Sequence, residues 1–220
     1  MALTDGETLL IMEPAVDHKQ VGEGDTGPNT GGMGVYAPVP FLGQRLMRQI
    51  EHRVLLPTLH ALRVEGIDYR GVLYAGLMMT DAGPSVLEYN CRFGDPETQV
   101  LMRRFKSDLV PYLLACAEKR LDQMEPADFD PRTCVGVVAA AEGYPGDYDK
   151  GQRIEGVETA DRVDEVVTFH AGTKRDGPNL RTSGGRVLCV TALGEDVEVA
   201  RERAYRGVDA IRWTGKFCRR

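Results

Sequence analysis

Residues 83–99 read GPSVLEYNCRFGDPETQ, and the stretch VLEYNCR within them has the make-up of a β-strand. Side chains of a strand alternate between faces, so Glu88, Asn90 and Arg92 share one side. Leu87, Tyr89 and Cys91 take the other, where they are expected to be buried. The polar side offers a carboxylate oxygen, an amide oxygen and a permanent positive charge. Two hard oxygens suit Mg²⁺, which takes few protein ligands and keeps its waters and substrate phosphates. A guanidinium one step further suits a phosphate or carboxylate, gripped through two parallel hydrogen bonds. The pattern fits a seat for a metal–triphosphate. It equally describes a solvated sheet face with a surface Glu–Arg pair.

Four other segments carry chemistry. In RFGDPE, Gly94 frees the backbone for a turn, Asp95 is expected to cap a helix and Pro96 to open it. A helix start offers free N–H groups and a positive dipole end to an anion. Asp17-His18-Lys19 sets an acid, an imidazole and an ammonium side by side, for acid–base or phosphate work or as a solvated charge cluster. Beside it, GDTGPNTGGMG (24–34) lacks the G-K-[ST] ending of a nucleotide P-loop. Its glycines let backbone N–H groups approach an anion, and Asn29 and Thr30 add side-chain donors. Near the C-terminus, Lys174, Arg175, Arg181 and Arg186 stand among glycines, as a phosphate site or a basic hairpin in solvent.

The elements that must hold these residues follow from periodicity. ALTDGETLLIME reads as a hairpin turning at Asp5-Gly6. Residues 13–40, rich in Gly and Pro, read as a long functional loop. Residues 41–65 have helical spacing, which Pro57 should kink or divide. GVLYAGLMMT (71–80) and SVLEYNCR (85–92) form an antiparallel pair across DAGP. Helices are expected over 95–105 and 107–121, with a linker at 125–131. Strands then follow at 134–142, 165–172 and 185–193, before an amphipathic helix over 195–212. The fold class is α+β, divided into domains at 1–126 and 127–220.

Bulk properties narrow the function. The chain has 220 residues, 42% hydrophobic and 27% charged, a globular balance with enough length for a core. A net charge of −6 without a basic block argues against nucleic acid as a partner. Five scattered cysteines without a C-x-x-C pair suggest neither zinc nor a disulfide framework. No membrane-spanning run is present, and cytoplasm is the expected location.

DHKQVGEGDTGPNTGGMGVYAPVP and LEYNCRFGDPETQ together resemble the glycinamide ribonucleotide synthetase family, ATP-grasp ligases of purine synthesis. GYPGDYDKG (143–151), FHAGTK (169–174) and TSGGRVLCVTALG (182–194) extend the resemblance through the tail. It implies the second ATP-grasp lobe, an antiparallel sheet with helices, followed by a small α+β C-terminal domain. It further implies ligation of glycine to 5-phosphoribosylamine, with ATP as co-substrate and Mg²⁺ or Mn²⁺ as cofactor. Glu88 and Asn90 are then the metal ligands, and Arg92, Asp17 and Lys19 the catalytic group. Asn29, Thr30, Gly31, Gly32, Gly94, Asp95 and Pro96 face substrates, and Lys174 and Arg186 take the ribose phosphate.

The chain departs from the family pattern in three ways. Val16 and Gln20 flank DHK where the family has Gln and Arg, and GVLYAGLMMT lacks a second metal-binding acid. The family's N-terminal domain and first ATP-grasp lobe are not in these residues, so the chain alone is expected to turn over little or nothing. A related ligase with another acceptor, and a non-catalytic lobe assembling with a separate N-terminal chain, are the alternatives.

Overall fold

The computed structural model describes residues 1–220. The elements in chain order are β1 (Ala2–Thr4), β2 (Leu9–Ile11), β3 (Val16–Gly22), β4 (Thr26–Ala37), α1 (Gln44–Ile50), α2 (Leu56–Val64), β5 (Gly71–Thr80), β6 (Gly83–Asn90), α3 (Glu97–Arg104) and α4 (Leu109–Glu118). They continue with β7 (Thr133–Ala141), β8 (Arg153–Ile154), α5 (Val157–Ala160), β9 (Val166–His170), β10 (Thr173–Asp176), β11 (Asn179–Thr182), β12 (Arg186–Gly194), α6 (Val197–Ala210) and β13 (Lys216–Cys218). They form two compact units that exchange segments. The first holds residues 1–14, 39–94 and 105–130; the second holds 15–38, 95–104 and 131–220.

The first unit is a four-stranded sheet in the order β2-β1-β5-β6, antiparallel at every pairing. Alternation sends Ala2 and Leu73 to one face, against Ile50 and Leu55, and Leu3 and Val72 to the other, against Tyr112, Ala115 and Cys116 of α4. The β1–β2 turn is built as the Asp5-Gly6 signal predicts. Asp5 accepts hydrogen bonds from the N–H of Glu7 (3.0 Å) and Thr8 (2.7 Å), and its second oxygen accepts from Leu121 N–H (3.0 Å). Between α1 and α2 the helix widens into a π segment, Glu51–Leu55, just ahead of Pro57. Proline has no N–H to continue an α-helical ladder, so the division falls where the sequence places it.

The second unit is centred on a sheet in the order β3-β4-β7-β12-β9, with β13 also on β7, and a smaller sheet β10-β11-β8. Val135, Val137, Ala139 and Ala141 of β7 join Ala200, Ala204 and Val208 of α6 in one core. Asp196 caps α6, accepting from Val199 N–H at 2.8 Å. Gly207 permits close helix–sheet approach, since a Cβ there would lie 2.8 Å from Val190 Cγ1. By strand alternation Gly136 takes the opposite face, where its own missing Cβ makes room for Val100 of α3.

The expected loop over 13–40 is instead the β3–β4 hairpin, turning at Glu23-Gly24-Asp25. Its ladder is broken by bulges that hide the period-two pattern. From the Gln20–Asn29 pair to the His18–Gly34 pair, β4 advances five residues while β3 advances two. The extra residues lie within Thr30–Met33. No helix is long and apolar enough to cross a membrane.

Candidate active site

The candidate residues fall into two constellations, one within each unit. In the first unit, β6 is an edge strand that bulges at Leu87, because Gly76 pairs with Glu88 while Leu77 pairs with Val86. Gly76 is the cradle for Glu88, since a Cβ on it would stand 3.0 Å from Glu88 Cγ. Arg92 turns back beside Asn90, with Nη2 3.5 Å from Asn90 Oδ1 and Nη1 donating to Phe93 O at 2.9 Å. Glu88 and Arg92 are exposed and Asn90 half-buried, so all three are open to a ligand. Gly94 lies at the end of this segment, its N–H directed at Met1 Sδ (3.2 Å). The carboxylate and amide oxygens fit a hard divalent cation that keeps waters and phosphates in its other positions.

The opposite side of β6 differs from the expectation of burial. Leu87 is 61% and Tyr89 44% exposed, and Cys91, past the strand's end, is exposed too. The bulge turns Leu87 outward on an edge strand, and Tyr89 ends in a hydroxyl that meets Thr58 Oγ1 at 2.7 Å.

The second constellation gathers Asp17 and Lys19 from β3, Thr30, Gly31 and Gly32 from β4, Asp95 and Pro96, Glu97 from α3, and Arg186 from β12. Arg186 is its hub. Nη1 donates to the carbonyls of Asp95 (2.6 Å) and Gly31 (2.7 Å), and Nη2 pairs with Asp95 Oδ2 at 3.1 Å. A Cβ on Gly31 would stand 2.9 Å from that guanidinium, which would have to shift to admit it. Thr30 Oγ1 donates to Lys19 O at 2.7 Å and accepts from Gly32 N–H at 2.9 Å, and Gly31 N–H donates to Tyr144 Oη at 3.0 Å. Asn29, exposed on the same strand, pairs with Gln20 below the bulge.

Asp17 lies deepest. Its side chain is 6% exposed, with Lys19 Nζ 3.0 Å from Oδ2, yet neither oxygen receives a hydrogen bond of good geometry. Burial, and after it the nearby charge of Glu97, raise its pKa to about 6 against the pull of Lys19 and Arg186. His18 faces elsewhere, 4.0 Å from Asp25, its pKa lowered by burial and by Arg219.

Two placements differ from the sequence reading. The helix begins at Glu97, one residue later than expected, so Pro96 precedes it. The Asp95 carboxylate accepts instead from Gln99 Nε2 (2.9 Å) and Arg186. Lys174 stands exposed on the β10-β11-β8 sheet, a different sheet from that of Arg186. Glu97, 5% exposed, and Tyr144 join this constellation from segments whose sequence holds no spacing that would tie them to Asp17 or Gly31.

An antiparallel lobe with an exposed acid–amide–guanidinium strand, followed by a small α+β unit, is the architecture of an ATP-grasp protein's second half. The family description "Phosphoribosylglycinamide synthetase, ATP-grasp (A) domain" matches residues 1–98, and "Phosphoribosylglycinamide synthetase, C domain" matches 134–220. The chain is 50% identical over 220 residues to a phosphoribosylamine–glycine ligase of Rhodopirellula baltica and 51% identical over 221 to one of Vibrio cholerae. All of this chain aligns, to 50% and 51% of those proteins respectively. The crystal structure of phosphoribosylamine–glycine ligase from Thermotoga maritima superposes with a TM-score of 0.88 at 37% identity, over 100% of this chain and 53% of that one. The chain belongs to the phosphoribosylglycinamide synthetase family, and it spans about half the length of the curated relatives it matches.

Proposed function

We propose that the complete protein carrying this chain joins glycine to 5-phosphoribosylamine, giving glycinamide ribonucleotide, ADP and phosphate. The observation that carries the reading is the pair Glu88 and Asn90 on one open side of β6, over the cradle at Gly76, with Arg92 turned back beside Asn90. Glu88 and Asn90 would hold Mg²⁺ or Mn²⁺, which when bound neutralises charge on the phosphates of ATP. Arg92 offers its guanidinium to the phosphoryl group in transfer, where positioning and electrostatics do most of the work. The carboxylate of glycine takes the γ-phosphoryl group, and the amine then displaces phosphate from the resulting acyl phosphate.

In the second unit, Arg186 ties the Gly31–Gly32 bulge to Asp95, which fixes backbone groups for substrate. Asp17, Lys19, Asn29, Thr30, Gly94 and Pro96 line the substrates, and Lys174 and Arg186 face the ribose phosphate. We set the family's domain boundary at 126/127, after α4 of the first unit. The 220 residues alone turn over little, because the ligase activity belongs to chains about twice this length.

The test is ADP release by the full-length protein with each candidate carboxylate and amine. Release that requires both glycine and 5-phosphoribosylamine supports the reading. Equal release with another pair makes the protein a ligase with a different acceptor, and normal turnover by the 220 residues alone contradicts the dependence on the other half.

A further inference from the structure

We propose that Tyr144 binds substrate, its phenolic O–H donating to the phosphate of the phosphoribosyl group whose other oxygens take the free edge of Arg186. The inference rests on the ligase reading and deepens it by one binding residue.

The backbone of the β4 bulge does not serve the anion itself. Gly32 N–H is engaged by Thr30 Oγ1 (2.9 Å) and Gly31 N–H by Tyr144 Oη (3.0 Å). What the bulge presents outward is the hydroxyl to which Gly31 donates. Tyr144 is half-buried, this bond lies at the surface, and the phenolic proton has no acceptor in the protein. A hydroxyl that already accepts a hydrogen bond is polarised into a better donor.

Tyr144 is registered to Arg186 by packing. Its ring meets that of Tyr148 edge to face, with centroids 6.2 Å apart. Both rings press on Gly185, where a Cβ would lie 2.2 Å from Tyr144 Cδ2 and 2.9 Å from Tyr148 Cε1. The backbone locks the same contact: Ala141 N–H donates to Gly185 O (2.8 Å) and Tyr144 N–H to Ala141 O (3.1 Å). Arg186 follows directly in the chain. Phenol and guanidinium therefore clasp one residue, Gly31, the first at its N–H and the second at its C=O (2.7 Å).

Arg186 has one edge left for a ligand. Nη1 donates to the carbonyls of Gly31 and Asp95, and Nη2 gives one hydrogen to Asp95 Oδ2. Nε–H and the second Nη2 hydrogen lie along the other edge of the planar group, and neither has an acceptor in the protein. Two parallel N–H groups fit two oxygens of an anion. A carboxylate would have no oxygen beyond that fork, whereas a phosphate monoester keeps a third terminal oxygen for the phenol.

The test is Tyr144→Phe in the full-length enzyme, which keeps the ring on Gly185. The loss of one hydrogen bond to a charged group should raise KM for 5-phosphoribosylamine about tenfold to a hundredfold, with kcat within about threefold. KM for glycine and for ATP should stay within about twofold. The ³¹P NMR resonance of glycinamide ribonucleotide, at saturation of the enzyme, should move in Y144F, because the lost bond is on a phosphate oxygen. An unmoved KM for 5-phosphoribosylamine, a matching rise for glycine or ATP, or an unmoved ³¹P resonance overturns the assignment and leaves Tyr144 a packing residue. No ADP release dependent on both glycine and 5-phosphoribosylamine from the unsubstituted enzyme overturns the ligase reading itself, and the proposal with it.

Discussion

Gly32→Ala is the substitution on which the second constellation can be judged most sharply. Gly32 has φ +116°, a conformation that costs a residue with a side chain about 1–3 kcal/mol. The added methyl would also stand 2.5 Å from Pro96 Cδ and 2.6 Å from Asp17 Oδ1. Asp17 can rotate away, but the proline ring cannot, and such overpacking costs about 1–3 kcal/mol more. The total, about 2–6 kcal/mol, lowers the melting temperature of a chain this long by about 4–24 °C. Gly24→Ala is the control: its φ is +63°, and nothing lies within 4 Å of the added carbon. It should cost about 1 kcal/mol, or about 2–4 °C. Thermal melts of the two variants of the 220-residue chain separate the terms. If G32A melts within 2 °C of G24A, Gly32 is not pressed against Asp17 and Pro96 as described.

Arg186→Ala strips the donors from the Gly31 and Asp95 carbonyls and should destabilise the second unit by about 2–3 kcal/mol, read by chemical denaturation. Because the folded-state pKa of Asp17 is raised from 3.8 to about 6, the native state keeps a proton that the unfolded chain has lost. Stability should therefore fall as pH climbs from about 4 to about 6, by about 3 kcal/mol at most, and Asp17→Asn should flatten that decline. Asp5 behaves oppositely. Burial pulls its pKa up, but the N–H groups of Thr8, Glu7 and Leu121 outweigh it and hold the carboxyl below its ordinary value. Its contribution is lost as pH falls through that lowered value, and Asp5→Ala should cost the first unit about 2–4 kcal/mol in a urea titration at neutral pH.

What could be read from the sequence was what depends on local periodicity. The β5–β6 pair, β7, β9, β12 and α6 lie where alternation and helical spacing put them, and Pro57 marks the break between α1 and α2. The β3–β4 hairpin could not be read, because two register shifts in its ladder erase alternation and its glycines imitate a loop. Those glycines serve close packing, Gly31 against Arg186 and Gly32 against Pro96, which appears only once distant segments meet. The pair Glu88 and Asn90 was legible from alternation, whereas Arg92 lies past the end of β6 and comes beside Asn90 by a turn of the chain. The exposure of Leu87 and Tyr89 was not, because burial depends on what packs against an edge strand. Asp17's environment also escaped, since Glu97 and Arg186 approach from elements far along the chain.

The central claim, that Glu88 and Asn90 carry the metal of an ATP-dependent glycine ligation, is tested by ADP release in the full-length enzyme bearing Glu88→Ala and Asn90→Ala together. The account predicts a fall in Mg²⁺-dependent release of at least about a hundredfold, with the thermal melt unchanged. Release within about threefold of the unsubstituted enzyme would show that this strand is structural and that the metal sits elsewhere.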